Sequence, residues 1–357
     1  MTSDPRAKKG RGAIYNPHNR FQQVHSEVFD DGWYRDEDAP TLQTTVTEDR
    51  AKSIVAHNQS PDVPFESSIN PYKGCEHGCV YCYARPSHAY WGLSPGQDFE
   101  TKLFAKRKGP ELLRAYFNRA SYKPQVIALG ANTDPYQPIE RQERITRELL
   151  GVMLTYQHPV MITTKSANVV RDLDLLVELA KLNLVSVGIS VTTLDGQTAR
   201  SMEPRASAPF RRLDAIQRLA QVGVPVGVMV APIIPGLTDW ELERIVTQAA
   251  QRGAQFAAPI MIRLPLEVKP LFEAWLEHWV PDRKKHVLSL ISQVRSGPLN
   301  TSEFHERMKG TGSYADLIHQ RMNLICQKLG LNKKRMELSC DHFRRPDQNT
   351  SQLELFT

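Results

Sequence analysis

The stretch SSINPYKGCEHGCVYCYARP, residues 67–86, holds three of the five cysteines of this 357-residue chain, Cys75, Cys79 and Cys82. Their spacing is Cys-x3-Cys-x2-Cys, and a glycine precedes each of the first two. Three thiolates this close together can bind one compact centre of a soft metal. A chain with few cysteines, most of them in one loop, does not have the pattern of a disulfide framework. The cysteine usage therefore predicts a metal site in the reducing cytoplasm.

Two metal centres fit this loop when the residues alone are considered. A structural zinc would need a fourth ligand, which His77 or His88 could supply. A cubane iron–sulfur cluster usually takes four cysteines, so three would leave one iron open to a substrate or cofactor. The two remaining cysteines, Cys326 and Cys340, lie far along the chain.

Around the loop, short β-branched runs alternate with amphipathic helical patterns. The runs cover residues 67–72, 126–134, 159–165, 184–193, 225–234 and 256–264. Strands separated by helices predict a parallel sheet with right-handed crossovers. Six units, against eight in a closed barrel, predict an α/β fold of the partial (βα)6 TIM type. Ligands gather at the carboxyl ends of such strands, and the cysteines directly follow the first strand, which favours a centre open to a ligand over a zinc knuckle.

Four regions of the chain differ in pattern. Residues 1–66 are polar and rich in proline and predict an extended N-terminal arm, whereas residues 67–265 form the predicted (βα)6 core. Residues 266–345 predict a helical C-terminal section, and residues 346–357 a flexible polar tail with an apolar tip. No run of about 18 apolar residues predicts a membrane span, and the basic N-terminus lacks the apolar segment of a secretion signal.

Local signals add two expectations. The helix that precedes the sixth strand opens with a predicted capping box, Thr238 to Glu241, and ends at Gly253. The net charge is +6, and basic residues cluster in residues 1–20, 102–109 and 333–345. Such clusters either contact a phosphate backbone or are solvated faces. We expect the N-terminal arm to contact DNA phosphates.

The pattern Cys-x3-Cys-x-aromatic-Cys, with Tyr81 as the aromatic residue, resembles the radical S-adenosylmethionine (SAM) superfamily. The motifs GCVYCYARP, TDPYQPIE, ITTKS, SMEPRA and VAPIIPGLTD are similar to its branch related to spore photoproduct lyase, the DNA repair photolyase-like proteins. The resemblance implies that Cys75, Cys79 and Cys82 hold a 4Fe–4S cluster whose open iron binds SAM. An electron from a donor such as flavodoxin or ferredoxin would then cleave SAM to a 5′-deoxyadenosyl radical.

The resemblance also implies roles for residues at the ends of the strands. Lys165 would meet the carboxylate of the cofactor, and Ser190 its amino acid or ribose part. Glu203 and Arg205 would contact its polar end. Each has a structural alternative: Lys165 as a surface lysine, Ser190 as a small residue of a packed layer, and Glu203 with Arg205 as a pair that braces a loop.

Three more cofactor contacts follow from the same resemblance. Thr133 and Asp134 close the second strand of the core, near the place where substrate and cofactor would meet. Tyr81, inside the cysteine motif, would lie beside the cofactor.

One cysteine of the family pattern is absent from this chain, so either the reaction differs or another residue quenches the product radical. Spore photoproduct lyase has a further cysteine near the end of the second strand, but the corresponding stretch LGANTDPYQ, residues 129–137, has none. Cys340, in a polar basic segment, is the candidate substitute, and Tyr83 is a second candidate because a phenol can pass a hydrogen atom. Cys326 lies in an apolar helical pattern and is predicted to be core.

The chain ends in SQLELFT, which matches the pattern by which bacterial replication and repair proteins bind the sliding clamp of DNA polymerase. The matching residues are Gln352, Leu353, Leu355 and Phe356. A flexible tether with apolar anchors suits docking to a partner; the alternative is that the anchors fold back onto their own core.

Together these features predict a radical SAM enzyme that repairs or modifies a base in DNA. The same chemistry on RNA or on a protein is one alternative. A non-enzymatic, zinc-containing DNA-binding adaptor is the other.

Overall fold

The computed structural model describes residues 10–22, 42–334 and 337–346. The strands are β1 (Thr45–Glu48), β2 (Val55–His57), β3 (Ser67–Ile69), β4 (Tyr72–Lys73), β5 (Lys102–Ala105), β6 (Ile127–Leu129), β7 (Val160–Thr164), β8 (Val185–Ser190), β9 (Val226–Ile233) and β10 (Phe256–Met261). The helices are α1 (Asp98–Thr101), α2 (Gly109–Phe117), α3 (Glu140–Glu143), α4 (Ile145–Thr155), α5 (Leu173–Lys181), α6 (Gly196–Met202), α7 (Pro209–Gln221), α8 (Leu242–Gln251), α9 (Val268–Trp279), α10 (Pro281–Gln293) and α11 (Gly312–Leu329). Short 3-10 segments cover Arg85–Trp91, Ala167–Asp172 and Asp239–Glu241.

The main sheet has seven strands in the order β10-β9-β8-β7-β6-β3-β2. Its first six are parallel neighbours, and β2 pairs antiparallel with β3 at the edge. All six predicted core strands are confirmed. Every residue of β8 is buried, as expected for a central parallel strand covered on both faces. Within the described chain β10 and β2 are the two edges, so the barrel is partial, as predicted.

Loop contacts join the two edges where no sheet hydrogen bond does. Asp62, between β2 and β3, accepts hydrogen bonds from Arg307 Nε and from the backbone N–H of His305, both at 2.5 Å. The loop that contains His305 and Arg307 also contacts β10, because the Met308 carbonyl accepts a hydrogen bond from the N–H of Met261 at 3.0 Å. The open side of the barrel is therefore bridged by polar loop contacts.

A second, three-stranded sheet leads into the cysteine loop. Its order is β1-β5-β4, with β1 parallel to β5 and β4 antiparallel to it. The cysteine loop begins one residue after β4, and α1 runs directly into β5. This small sheet fixes the entry of the loop next to the carboxyl end of β3.

The three predicted C-terminal helices are present as α9, α10 and α11, and α11 packs against α8 and β10. The boundaries of the four predicted regions stay a prediction. Within the ranges given above, no helix combines the length and the apolar character needed to cross a bilayer.

The predicted capping box at α8 is wrong, although the predicted end of the helix is confirmed. The Thr238 hydroxyl accepts from the N–H of Ile234 at 3.1 Å, and a 3-10 turn separates it from α8. The Glu241 carboxylate accepts instead from Thr193 and from the N–H of Leu194. Gly253, just beyond α8, has φ +90° and supplies the left-handed ending.

Candidate active site

The cysteine loop lies at the carboxyl end of β3 and is stabilised by its own turns. Cys75 and Cys79 are buried and Cys82 is half-buried. The N–H of Cys82 donates to the carbonyl of Cys79 at 3.2 Å. Gly74 has φ +75°, and a Cβ there would lie 2.6 Å from a methyl carbon of Leu103, so both its backbone and its surroundings require glycine.

The three thiols share one electrostatic environment. Burial is the main cause that raises the pKa of each of them. For Cys75 the charge of Asp134 and then those of the other two cysteines raise the pKa further. Buried neutral thiols become ligands once a metal cation stabilises their thiolates. The donor set therefore fits a soft-metal centre.

The two histidines considered as a fourth zinc ligand have other partners. His77 Nδ1 lies 3.3 Å from an oxygen of Asp134. His88 Nε2 is 2.9 Å from the Lys102 carbonyl, and burial lowers the pKa of His88 to about 4. In the described ranges no group of three or more His, Cys, Asp or Glu side chains is arranged to hold a single metal ion. Three cysteines without a fourth ligand fit a cluster, in which each thiolate binds a different iron.

Lys165 stands beside the cysteine loop at the carboxyl end of β7. Its Nζ donates to the Ala231 carbonyl at 3.0 Å and lies 5.8 Å from the centre of the Tyr81 ring. Desolvation lowers the pKa of Lys165, and the nearby Cys79 opposes that shift. An ammonium group has three donors, so Lys165 keeps donors for an anionic ligand at the mouth of the barrel.

Glu203 is the acceptor of a buried polar network beneath the loop. It accepts from the Tyr81 hydroxyl, from Thr192 Oγ1 at 2.7 Å and from the guanidinium of Arg212. The side chains of Glu203 and Arg212 are almost fully buried. A buried carboxylate in such a site must be paired, so Glu203 fixes the position of Tyr81 in the cysteine motif.

The loop-bracing pair of Glu203 and Arg205 does not form. Arg205 pairs with Glu76 at 3.0 Å and is exposed, whereas Arg212 takes the place expected of Arg205. Arg212 also donates to the carbonyl of Ser190 at 3.1 Å, at the carboxyl end of β8. Ser190 is buried in the rim of the sheet. Arg212 lies in α7, nine residues beyond Glu203 in the chain, and no sequence pattern predicts this pairing.

Thr133 and Asp134 connect the ends of the strands to the cysteine loop. The Thr133 hydroxyl donates to the Tyr72 carbonyl at 2.7 Å. Asp134 accepts from Thr164 Oγ1 at 2.6 Å and from the N–H of Lys165 at 2.7 Å. Burial alone would raise the pKa of Asp134, but its pairing with His77 and these hydrogen bonds hold it at about 2. The carboxylate thereby ties β6 and β7 to the loop.

Tyr83 lies at the mouth of the partial barrel. Tyr83 is 43% exposed, and its hydroxyl donates to the Ala131 carbonyl. The guanidinium of Arg263, which follows β10, stacks 4.6 Å from the centre of the Tyr83 ring. Burial of its hydroxyl, and then the charge of Cys82, raise the pKa of Tyr83 to about 12. The mouth thus presents an aromatic ring and a cation side by side.

Cys340 does not join this site. Its neighbour Ser339 donates its N–H to the Asn183 carbonyl at 3.0 Å, in the loop before β8. Phe343 packs on His158, in the loop before β7. Both loops are at the amino ends of the strands, opposite the cysteine loop, and this position argues against Cys340 as a hydrogen-atom donor. Cys326 is buried in α11, as predicted.

Among the described residues, several members of the basic clusters already bind protein groups. Arg107 pairs with Glu48 and Glu143, and Lys102 pairs with Asp98. Arg11 of the arm donates to the Glu100 carbonyl, and Arg20 donates to Glu267. The phosphate contact expected of the arm stays a prediction. The described residues of 333–345 lie at the amino ends of the strands. The predicted clamp motif at residues 352–356 lies outside the described residues.

Arg85 is the main residue of the site that sequence reasoning missed. It is fully buried, and its Nε donates to the Cys79 carbonyl at 2.8 Å. Its terminal nitrogens bind the Gly78 carbonyl at 3.1 Å and the Glu100 carboxylate at 2.5 Å. The only hint in the sequence is an arginine three residues after the last loop cysteine.

Comparison with known proteins agrees with this geometry. The family model described as the radical SAM superfamily matches residues 69–249. An uncharacterized protein of Mycobacterium tuberculosis is 33% identical over 249 residues, which are 69% of this chain and 72% of that protein. An uncharacterized protein of Methanocaldococcus jannaschii is 29% identical over 178 residues, 48% of this chain and 62% of that protein.

Among solved structures, a mutant of spore photoproduct lyase with bound AdoMet and dinucleoside spore photoproduct has the same fold. The TM-score is 0.55 at 18% identity, and the alignment covers 80% of this chain and 78% of that one. Spore photoproduct lyase complexed with dinucleoside spore photoproduct aligns equally well, with a TM-score of 0.55 at 17% identity over the same shares of the chains. Three cysteines lie at the carboxyl end of a six-stranded parallel sheet, and the family model spans half of the chain. This chain therefore belongs to the radical SAM superfamily of enzymes.

Proposed function

We propose that this enzyme binds a 4Fe–4S cluster and SAM at the cysteine loop and acts on a base in DNA, in repair or in modification. The observation that supports it most is the placement of three cysteines, two of them buried and one half-buried, beside Lys165 at the mouth of a partial barrel. When bound, the cluster supplies one electron that cleaves SAM to methionine and a 5′-deoxyadenosyl radical.

The residues around the loop have separate tasks in this proposal. Cys75, Cys79 and Cys82 bind the cluster. Lys165 donates a charge-assisted hydrogen bond to the carboxylate of SAM. Tyr81 is fixed by Glu203 and forms part of the wall that keeps water from the cofactor.

The case for a nucleic acid rests on the mouth of the barrel. Tyr83 exposes an aromatic face and Arg263 lies against it as a cation. Aromatic stacking on a base and a cation for phosphate are the elements of single-strand recognition. Spore photoproduct lyase, which shares the fold, has been solved in complex with dinucleoside spore photoproduct. DNA is therefore our proposed substrate, and RNA or a protein with the same radical chemistry is the alternative.

The third possibility, a zinc-containing adaptor without enzymatic activity, has little support. Membership of an enzyme superfamily argues against it. His77 and His88 are engaged with other groups, which leaves the zinc without its fourth ligand.

We also propose that the C-terminal motif Gln352, Leu353, Leu355 and Phe356 brings the enzyme to the sliding clamp. The support is the sequence pattern alone. A reductant such as flavodoxin or ferredoxin completes the proposed partners, because SAM cleavage needs an external electron.

Replacing Cys79 by alanine should abolish cluster binding. We expect about four irons and four sulfides per chain after anaerobic reconstitution of the wild type, and less than about a tenth of that content in Cys79→Ala. The measurement is iron and acid-labile sulfide per chain, with 5′-deoxyadenosine release as a second readout. Cys340→Ser, at the opposite end of the strands, is the control and should keep both; a loaded and active Cys79→Ala would contradict the proposal.

Removing the ammonium of Lys165 should weaken SAM binding. A charge-assisted hydrogen bond contributes about 1.5–3 kcal/mol, so Lys165→Met should raise the Kd for SAM by about 10- to 100-fold with normal iron content. Equilibrium dialysis under anaerobic conditions measures it. Lys181→Met removes an exposed lysine that pairs with Glu178 and should change nothing; an affinity of Lys165→Met within about twofold of wild type would exclude the contact.

DNA should stimulate the cleavage of SAM. We expect release of 5′-deoxyadenosine to rise with lesion-containing single-stranded DNA, and Arg263→Ala to need about tenfold more DNA for the same stimulation, about 1.4 kcal/mol. Arg107→Ala, a surface arginine held by Glu48 and Glu143, is the matched control. Equal stimulation by RNA would favour the alternative substrate, and no response to either would refute a nucleic-acid substrate.

The clamp proposal is tested on the tail. Leu355→Ala together with Phe356→Ala should abolish binding of the purified enzyme to an immobilised bacterial sliding clamp, because the apolar anchors are lost. Asn349→Ala with Thr350→Ala, in the polar run before the motif, should bind as the wild type does. Binding that survives the double anchor variant would reject the motif.

A further inference from the structure

The N-terminal segment of residues 10–22 lies directly on the cysteine loop. The backbone N–H groups of Gly12 and Ala13 donate to the two oxygens of Glu100 at 3.0 and 2.8 Å. Gln97 returns two hydrogen bonds, from its side-chain amide to the carbonyls of Ala13 and Ile14 at 3.2 and 3.0 Å. The segment is therefore bound through its backbone N–H and carbonyl groups, whose partners are the side chains of Glu100 and Gln97.

The fit between segment and loop requires glycine on both sides. A Cβ on Gly12 would lie 1.7 Å from the carbonyl oxygen of Gly78, between the first two cysteines. A Cβ on Gly96 would lie 2.2 Å from the carbonyl oxygen of Tyr15. Neither glycine has a left-handed φ, so each is needed for the close approach of two backbones and not for its own conformation.

Apolar packing extends the same contact. Ala13 is fully buried and belongs to one cluster with Cys79, Val80 and Tyr81, the centre of the cysteine motif. Ile14 is also buried. The segment therefore excludes water from the outer side of the loop.

One buried ion pair links the segment to the thiols. Glu100 binds the segment with both oxygens and also accepts from Arg85, which in turn holds the carbonyls of Gly78 and Cys79. Arg11 strengthens the link, because it donates to the Glu100 carbonyl at 3.1 Å and to the Leu42 carbonyl at 2.8 Å. A movement of the segment would remove the two backbone donors of Gly12 and Ala13 from a buried carboxylate, which is costly.

We propose that residues 10–22 are a positioning element of the cysteine site: through Glu100 and Arg85 they hold the loop in its binding conformation and shield the thiols from solvent. This role of the segment is separate from the phosphate contact expected of the arm, which stays a prediction. That the shielded group is an iron–sulfur cluster rests on the proposed function, whereas the shielding of the cysteine thiols does not.

The test is the reactivity of each cysteine in the metal-free protein. Iodoacetamide labelling, followed by mass spectrometry of peptides, gives a separate rate for all five cysteines. In Gly12→Ala, Cys75 and Cys79 should react at least about tenfold faster than in the wild type, equal to about 1.4 kcal/mol of local opening. Cys326 and Cys340 should keep their rates. Gly151→Ala, where a Cβ meets no atom within 4 Å, should leave all five rates unchanged.

A second variant keeps the proposal falsifiable if Gly12→Ala disturbs the whole fold. Faster labelling of Cys326, buried in α11, would reveal such a disturbance. In that case the chain lacking residues 1–20 is labelled instead, and we expect faster reaction of Cys75 and Cys79 with unchanged rates at Cys326 and Cys340. Unchanged rates at Cys75 and Cys79 in the folded variant or in the truncated chain would overturn the proposal. After reconstitution, air should remove iron from the variants faster than from the wild type. A wild-type chain that takes up no iron would refute the cluster instead, and the labelling result would still stand.

Discussion

A buried ion pair between Arg85 and Glu100 is the constraint around which the cysteine loop is built. Both side chains are fully buried, and such a pair is tolerated only when nearly every donor and acceptor is satisfied. The guanidinium of Arg85 meets this condition with carbonyl groups of the loop and of residues 95 and 96. Glu100 meets it with donors from the N-terminal segment. The N-terminal segment and the cysteine loop therefore together supply the hydrogen-bond partners that this buried ion pair needs.

A second buried pair, Glu203 with Arg212, acts from the other side. It joins the residues after β8 to the Tyr81 hydroxyl. The loop between the first and third cysteines is thus held by two ion pairs and by Asp134 at the ends of β6 and β7. Three short-range anchors from different elements leave the thiols little freedom. A site that must present three thiolates in fixed geometry gains from such preorganisation, because the ordering cost is met by folding and not by binding.

The fold was predictable from the sequence because its signal is local. Each core strand is a short apolar run, each helix an amphipathic one, and the alternation of the two leaves few topologies. The cysteine loop was predictable for the same reason, since its three cysteines lie within eight residues. Lys165 and Asp134 were assigned through the resemblance to the family, and their contacts with the cofactor stay a prediction.

The pairing of buried charges was not predictable, because it depends on distance in space. Glu203 has Arg205 two residues away in sequence, yet it binds Arg212, since a helix turn brings that guanidinium back over the strand end. The position of Cys340 was not predictable for a related reason. The polar and basic character of its neighbours in the sequence does not indicate which end of the sheet the segment covers. The arm was interpreted from its charge, whereas its backbone and its glycines determine where it lies.

These anchors also indicate where differences in substrate can arise. Glu203, Asp134, Arg85 and Glu100 are saturated by protein partners, so their side chains are committed to holding the loop. Tyr83 and Arg263, by contrast, contact each other at the mouth, where Tyr83 remains 43% exposed. Because the buried network holds the cysteine loop and the mouth is formed by other residues, the residues at the mouth can change without disturbing that network.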